Sequence, residues 1–252
     1  MAGHSKWATI KRKKAGIDAA RSKVFSRIIR ELTIAARLGG GDPAGNPRLS
    51  LAIDNAKASN MPKDNIERAI KKGTGELDSG DRIEEVVYEG YGPGGVAYFV
   101  EATTDNPKRT VGEVRHAFTR FGGNLGTSGS VAYLFDQKGI IHIPGQSIDK
   151  EGLLLEAIDA GAEDINDEDP ETLEVSTRRE DLYSVRKHLE EKGYIISNAE
   201  LQWIPRTEVK LDANTALTNF KLMSFLEDID DVGSVFNNMK MDDETLSVAD
   251  QL

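Results

Sequence analysis

The chain has 252 residues, 38% of them hydrophobic, no cysteine and a formal net charge of −10. This length exceeds one ordinary small domain and predicts two or three. The missing thiols exclude disulfide frameworks, thiolate zinc sites and cysteine nucleophiles, and no apolar run approaches the roughly 18 residues of a membrane span. The net charge conceals a division. Residues 1–75 hold 16 Lys and Arg against 6 Asp and Glu, whereas residues 76–252 hold 16 against 36. A basic part on an acidic chain points to a polyanionic partner. The competing reading is a basic part that docks on its own acidic remainder. No apolar core follows the basic N-terminus, so it does not read as a secretory signal, and the chain is expected in the cytoplasm.

Residues 1–18 are polar and basic and read as an extended arm. Lys6, Lys11, Arg12, Lys13 and Lys14 cluster there with Trp7. Lys and Arg neutralise phosphates and release counterions. Trp7 either stacks on an unpaired base or pins the arm to the helices behind it. A helix is predicted over 19–38, because Phe25, Ile28, Ile29, Leu32 and Ala36 recur at three- and four-residue spacing. Lys23, Arg27, Arg30 and Arg37 fall together on the opposite face. Gly39, Gly40 and Gly41 end it. A second helix is predicted over 47–59, with Pro47 in its first turn. A third begins near Pro62 and ends in Lys71, Lys72 and Gly73, cations followed by glycine. Residues 74–82 read as a linker.

Strand-like runs follow at 83–89 and 96–104, joined by Gly90-Tyr91-Gly92-Pro93-Gly94-Gly95. These glycines fit G-x-G-x-x-G, but a dinucleotide loop needs a helix behind it, and here a strand follows. A helix over 107–121 places Lys108, Arg109, Arg115, His116 and Arg120 opposite its apolar stripe. Asn106 can cap this helix, leaving N–H groups suited to a phosphate. A strand is predicted over 131–135. Residues 139–205 then read strand, helix, strand, strand, helix, strand, which is the ferredoxin-like order. A strand near Val209, a helix over 214–226 and a strand over 232–236 would complete the unit left unfinished at Phe135. The acidic tail after Met239 is expected to fray.

The fold expected is α+β: an N-terminal helical bundle followed by two ferredoxin-like α/β domains, the third inserted into the second. The corresponding boundaries are 1–79, 80–136 with 206–252, and 137–205. His4, His116, His142 and His188 lack the spacing of metal ligands. The acidic run 163–169 lacks the glycine of a calcium loop and reads as solvated. No catalytic residue, cofactor or metal is therefore expected, nor a small-molecule substrate or membrane partner. The oligomeric state stays open, a monomer included.

Four segments carry a family resemblance: Gly3-His4-Ser5-Lys6-Trp7, Asn60-Met61-Pro62-Lys63-Asp64-Asn65-Ile66, Tyr88-Glu89-Gly90-Tyr91-Gly92-Pro93-Gly94-Gly95, and Asp105-Asn106-Pro107-Lys108-Arg109-Thr110. With them the chain resembles the YebC/PmpR family over essentially its whole length. The resemblance implies three domains, the third inserted in the second, and a non-enzymatic cytosolic factor acting in gene expression. Bacterial members are described as DNA-binding transcriptional regulators. Mitochondrial members are translational activators, and a competing view places the family on the ribosome, where it helps translation through prolines. The residues distinguish poorly between a DNA-binding regulator and an RNA-binding translation factor. No helix-turn-helix is legible, so the residues favour nucleic-acid binding over the reading of a DNA sequence. A nuclease would need a carboxylate cluster holding a metal in a basic cleft. A small-ligand sensor would rest on fold analogy alone.

Overall fold

Three amphipathic helices open the described chain: α1 (Ile17–Gly39), α2 (Pro47–Ala58) and α3 (Lys63–Thr74). The structure, a computed structural model, describes residues 17–77, 83–145, 148–167, 169 and 171–249, with only the backbone at 17–21 and 243. The stripe Phe25, Ile28, Ile29, Leu32 and Ala36 packs on Leu49, Ala52 and Ala56 of α2 and on Ile66 and Ala69 of α3. Short helices gain most of their stability from such packing. Asn46 sets the turn between α1 and α2. Its side-chain oxygen accepts from Leu49 N at 3.1 Å, capping α2. Its Nδ2 donates to the carbonyls of Ala35 (2.7 Å) and Gly40 (2.9 Å) at the end of α1. One buried amide thus meets orphan groups of two helix ends.

The third helix runs past Gly73, where the sequence predicted its end. A side chain on Gly73 would overlap the Thr33 carbonyl oxygen and the Ala36 methyl. This glycine therefore marks the close crossing of α1 and α3, and the left-handed stop falls to Gly75 at φ 80°.

The remainder builds two four-stranded sheets. Its elements are β1 (Glu84–Tyr91), β2 (Ala97–Thr104), α4 (Pro107–Arg120), β3 (Asn124–Leu125), β4 (Phe135–Pro144), α5 (Lys150–Asp159), β5 (Asp164–Asn166), β6 (Thr172–Arg178), α6 (Leu182–Glu191), β7 (Asn198–Pro205), α7 (Ala213–Glu227), β8 (Val232–Asn237) and α8 (Asp243–Ala249). The first sheet has the order β3-β1-β2-β8 and the second β5-β6-β4-β7, antiparallel throughout. Strands from both sides of 135–205 thus meet in the first sheet. The second is the βαββαβ unit expected from the sequence, with Ile141, Ile143, Leu173 and Val175 packed on Leu153, Val185 and Leu189. In the first sheet the hairpin β1–β2 lies at the centre, so β2 is buried on both faces. Val96, Tyr98, Val100 and Ala102 meet α4, α7 and α8. Ala97 and Phe99 alternate with them and face Phe135, Phe236 and Trp203. The two-residue period of a strand assigns the faces.

Three expectations are corrected. Residues 131–135 do not form a strand of the first sheet. Ala132–Leu134 is a 3-10 turn, and β4 runs unbroken from Phe135 into the second sheet. The cause is buried Glu89, which accepts the N–H groups of Val131 (2.7 Å) and Ala132 (2.8 Å) and so removes them from any ladder. The strand near Val209 reduces to one parallel bridge with Met239. The acidic tail does not fray through Ala249: Asp242 accepts from Thr245 N at 3.0 Å, and Met241, Leu246 and Ala249 of this segment join the core of the first sheet.

Candidate nucleic-acid interface

The basic face of α1 is turned onto the rest of the chain. Lys23 pairs with Asp228 at 2.7 Å, and Arg30 reaches Asp231 at 3.7 Å. Arg27 donates to Glu200 of β7 (3.2 Å) and to Ser234 of β8 (2.7 Å), so one guanidinium joins both sheets to the helices. Burial opposes the charge on Glu200, but Arg27, His142 and the side chains of Gln202 and Asn198 together outweigh it and hold the carboxyl below its ordinary value. Arg37 donates to the Ile83 carbonyl. The four cations that the sequence places on one face are thus met by groups within the same chain. The polyanion they face here is their own acidic body.

Other arginines do the same work elsewhere. Arg48 spans Glu31 (2.7 Å) and Glu85 (2.6 Å); burial opposes its charge, but the two carboxylates outweigh it and raise its pKa. Arg186, itself buried, spans Asp54 (2.8 Å) and Glu190 (2.6 Å), tying α2 to α6. Beside it Asn55 exchanges two hydrogen bonds with the Ala199 backbone. Trp203 donates to Glu101 at 2.8 Å and lies 4.3 Å from the Phe99 ring. Burial raises the Glu101 pKa and the indole bond offsets part of that rise.

Asp231 gathers the strongest cluster. Its carboxylate accepts from Arg109 (2.7 Å), Thr110 (2.8 Å) and Thr104 (3.0 Å). Burial opposes its ionisation, yet these donors prevail and its pKa is lowered. Asn106 caps α4 by accepting from Arg109 N at 3.2 Å, as the sequence predicted. The negative charge near the start of α4 is the protein's own Asp231.

Around this cluster lies an open cleft of about 1230 Å³, lined by α1, Lys72, α4 and the turn 228–231. Arg30, Lys72 and Arg109 line it against Asp105, Glu113, Asp228, Asp230 and Asp231, so phosphate would be repelled from the cleft itself. Cations stand outside it. Arg68, Lys71, Lys108 and Arg115 are exposed and ion-pair with no carboxylate among the described residues. Arg120 instead covers the rings of Phe225 (5.0 Å) and Phe121 (5.6 Å). Lys6, Trp7, Lys11, Arg12, Lys13 and Lys14 lie outside the described residues.

Comparison with known proteins gives this architecture a family. Residues 5–76 match the model described as the TACO1/YebC protein N-terminal domain, and residues 83–239 match that described as the TACO1/YebC second and third domain. The chain belongs to the TACO1/YebC family. It is 54% identical over 247 residues to a Persephonella marina protein named "Probable transcriptional regulatory protein", covering 98% of each chain. A Chlorobaculum tepidum protein with the same descriptive name is 50% identical over 251 residues, covering 100% of each. A crystal structure of a conserved hypothetical protein from Aquifex aeolicus matches with TM-score 0.85 and 50% identity, covering 90% of this chain and 93% of that one. In this TACO1/YebC chain, the described segments that carry the resemblance hold structural positions. Asn60 adopts φ 56° ahead of buried Met61. The loop of 90–95 turns the β1–β2 hairpin, with Gly94 and Gly95 at φ 75° and 79°, and Asn219 of α7 donates to the Pro93 carbonyl at 2.9 Å. A strand follows it, so the dinucleotide reading fails on geometry.

The histidines are dispersed. His116 meets the Phe225 ring edge-on, His142 faces Glu174 at 3.8 Å, and His188 bonds Glu156 at 3.0 Å. Lys192 and His188 together hold the Glu156 carboxyl below its ordinary value. Among the described residues no group of three potential ligands could hold a metal ion, and no helix is long and apolar enough to cross a membrane. Sequence reasoning missed Asp231, Glu200 and Glu89, whose partners are distant in the chain. It placed Lys71 only at the end of the third helix and passed over Arg68, although the polar face of α3 was legible.

Proposed function

We propose that this chain is a non-enzymatic, cytoplasmic, nucleic-acid-binding regulator of gene expression, and that it acts on DNA as the names of its relatives imply. One observation carries the reading. Residues 1–16 contain Lys6, Lys11, Arg12, Lys13 and Lys14 and no carboxylate, while the basic face of α1 is already met by Asp228, Asp231, Glu200 and the Ile83 carbonyl. The positive charge left for a phosphate backbone therefore lies in that segment, with Arg68 and Lys71 on α3 and Lys108 and Arg115 on α4 as further contacts. The names of the relatives support the same class. The reading also divides the chain as 1–79, 80–136 with 206–252, and 137–205, the last inserted.

The test replaces Lys11, Arg12, Lys13 and Lys14 with Ala and measures binding to duplex DNA and to ribosomal RNA over a salt series. Affinity should fall, and the slope of log affinity on log salt should flatten by about 0.7–0.9 per lost phosphate contact. Unchanged affinity refutes the role of the segment. Crosslinking in cells separates the targets: promoter DNA supports transcriptional control, ribosomal RNA makes the chain a translation factor, and neither refutes the reading.

A further inference from the structure

One aromatic ring of this protein is largely exposed above a loop held by buried hydrogen bonds. Tyr133 is 62% exposed, the most exposed aromatic side chain among the described residues. It projects from the 3-10 turn Ala132–Leu134, between Val131 and Phe135, both buried. The turn belongs to a Gly- and Ser-rich loop, a composition that ordinarily gives mobility. Here the loop is braced from beneath by Glu89, whose carboxylate accepts three backbone N–H groups: Gly129 at 2.6 Å, Val131 at 2.7 Å and Ala132 at 2.8 Å. The Glu89 carbonyl takes a fourth, from Gly126 at 2.8 Å. Tyr91 adds a bond from its hydroxyl to the Ser130 carbonyl at 3.0 Å.

Sinking a carboxylate under a loop costs desolvation that only these amide bonds offset. Tyr133 buries little of its ring, its hydroxyl meets that of Tyr91, and Val131 and Phe135 anchor the segment on either side. A ring carried on a backbone turn of set shape has less to lose on stacking than one on a loose loop. The surroundings supply polar groups. Thr127 and Ser128 are exposed on the same loop. Arg206 donates its backbone N–H to the Leu134 carbonyl at 2.8 Å, and its side chain pairs with Asp136 at 2.7 Å, both side chains about half exposed. Such a surface pair contributes little, so the guanidinium can exchange Asp136 for a phosphate at small cost.

We propose that Tyr133 is a stacking platform for an unpaired nucleobase, with Arg206 placed for the adjoining phosphate. Every base has a π face, so the site accepts single strands of any sequence and rejects paired bases, whose faces are covered. The inference rests on the nucleic-acid-binding reading above and adds to it the strandedness of the ligand and a site remote in sequence from the basic segment.

The experiment uses the full chain and fluorescence anisotropy with end-labelled 12-mers: single-stranded RNA, single-stranded DNA of the same sequence, and the DNA duplex. Tyr133→Ala should weaken binding to single strands by about 5- to 150-fold, the range of base–aromatic stacking. It should leave duplex binding within about twofold, and Tyr133→Trp should restore the single-strand affinity. Whichever of RNA and DNA shows the larger loss identifies the source of the base. Equal binding of single strands by wild type and Tyr133→Ala overturns the platform alone. An equal loss on the duplex also overturns it, as does a wild type that binds only duplex. A wild type that binds none of the three overturns the nucleic-acid-binding reading and the platform with it. Unchanged far-ultraviolet circular dichroism of Tyr133→Ala excludes loss of fold as the cause.

Discussion

Replacing Asp231 with Ala tests the central polar cluster. The carboxylate is 6% exposed and accepts from Thr104, Thr110 and Arg109. Arg109 is half exposed and keeps Asp105 as a partner at 2.9 Å, so solvent screens its loss. The two buried hydroxyls carry the cost. Removing a charged acceptor from each is worth about 1–2 kcal/mol, tempered at Thr110 by its bond to the Asn106 carbonyl. A destabilisation of about 3 kcal/mol is expected at pH 7. The pKa of Asp231 is lowered in the fold. Its contribution is therefore complete above the unfolded value of about 3.9 and disappears as pH falls through the lower folded value. Urea unfolding at pH 7, 5 and 3, followed by far-ultraviolet circular dichroism, should give the same difference between wild type and variant at the first two and a smaller one at the third. A cost below about 1 kcal/mol at pH 7, or a difference that grows with acid, would refute the argument.

Four further outcomes follow from the packing. Gly73→Ala should destabilise the helical bundle despite a gain of about 1 kcal/mol in helix propensity, because its methyl overlaps the Thr33 carbonyl, whereas Gly112→Ala in α4 meets open space and should stabilise by about that amount; thermal melts decide both. Asn46→Ala removes a cap and strands two carbonyls, costing about 2–3 kcal/mol, read as faster amide exchange in α1 and α2. Glu89→Leu removes both acceptor oxygens and should raise exchange at Gly129, Val131 and Ala132 at least tenfold while the centre of β2 stays protected.

What the sequence made legible was local. The stripes of α1, α2 and α3, the cap at Asn106 and the βαββαβ order could be read from spacing alone, because each depends on residues within a turn or a strand of one another. The errors share a different cause. The segment 131–135 has strand composition, but Glu89, more than 40 residues earlier, takes its amides. Gly73 looks like a stop until α1 is laid across it. The tail after Met239 looked acidic enough to fray, and only the apolar face of the first sheet gives Leu246 and Ala249 somewhere to go.

The basic face of α1 is the most instructive case. Its helical periodicity is legible in the sequence, and four cations on one face point to anions opposite them. Spacing cannot tell whether those anions are phosphates or carboxylates. Asp228 stands 205 residues from Lys23, and Glu200 stands 173 from Arg27. Both ion pairs are about half exposed on the cationic side, so each contributes little by itself. The face is accordingly held by several weak contacts at once. A phosphate backbone brought in by the N-terminal segment would compete for the same cations, and the exchange would release α1 from Asp228 and Glu200. A polyanion that engages this face should therefore loosen the docking of the helices on the two sheets, while one confined to residues 1–16 should leave it intact. Amide exchange at 228–234, compared with and without bound nucleic acid, separates these two modes of binding.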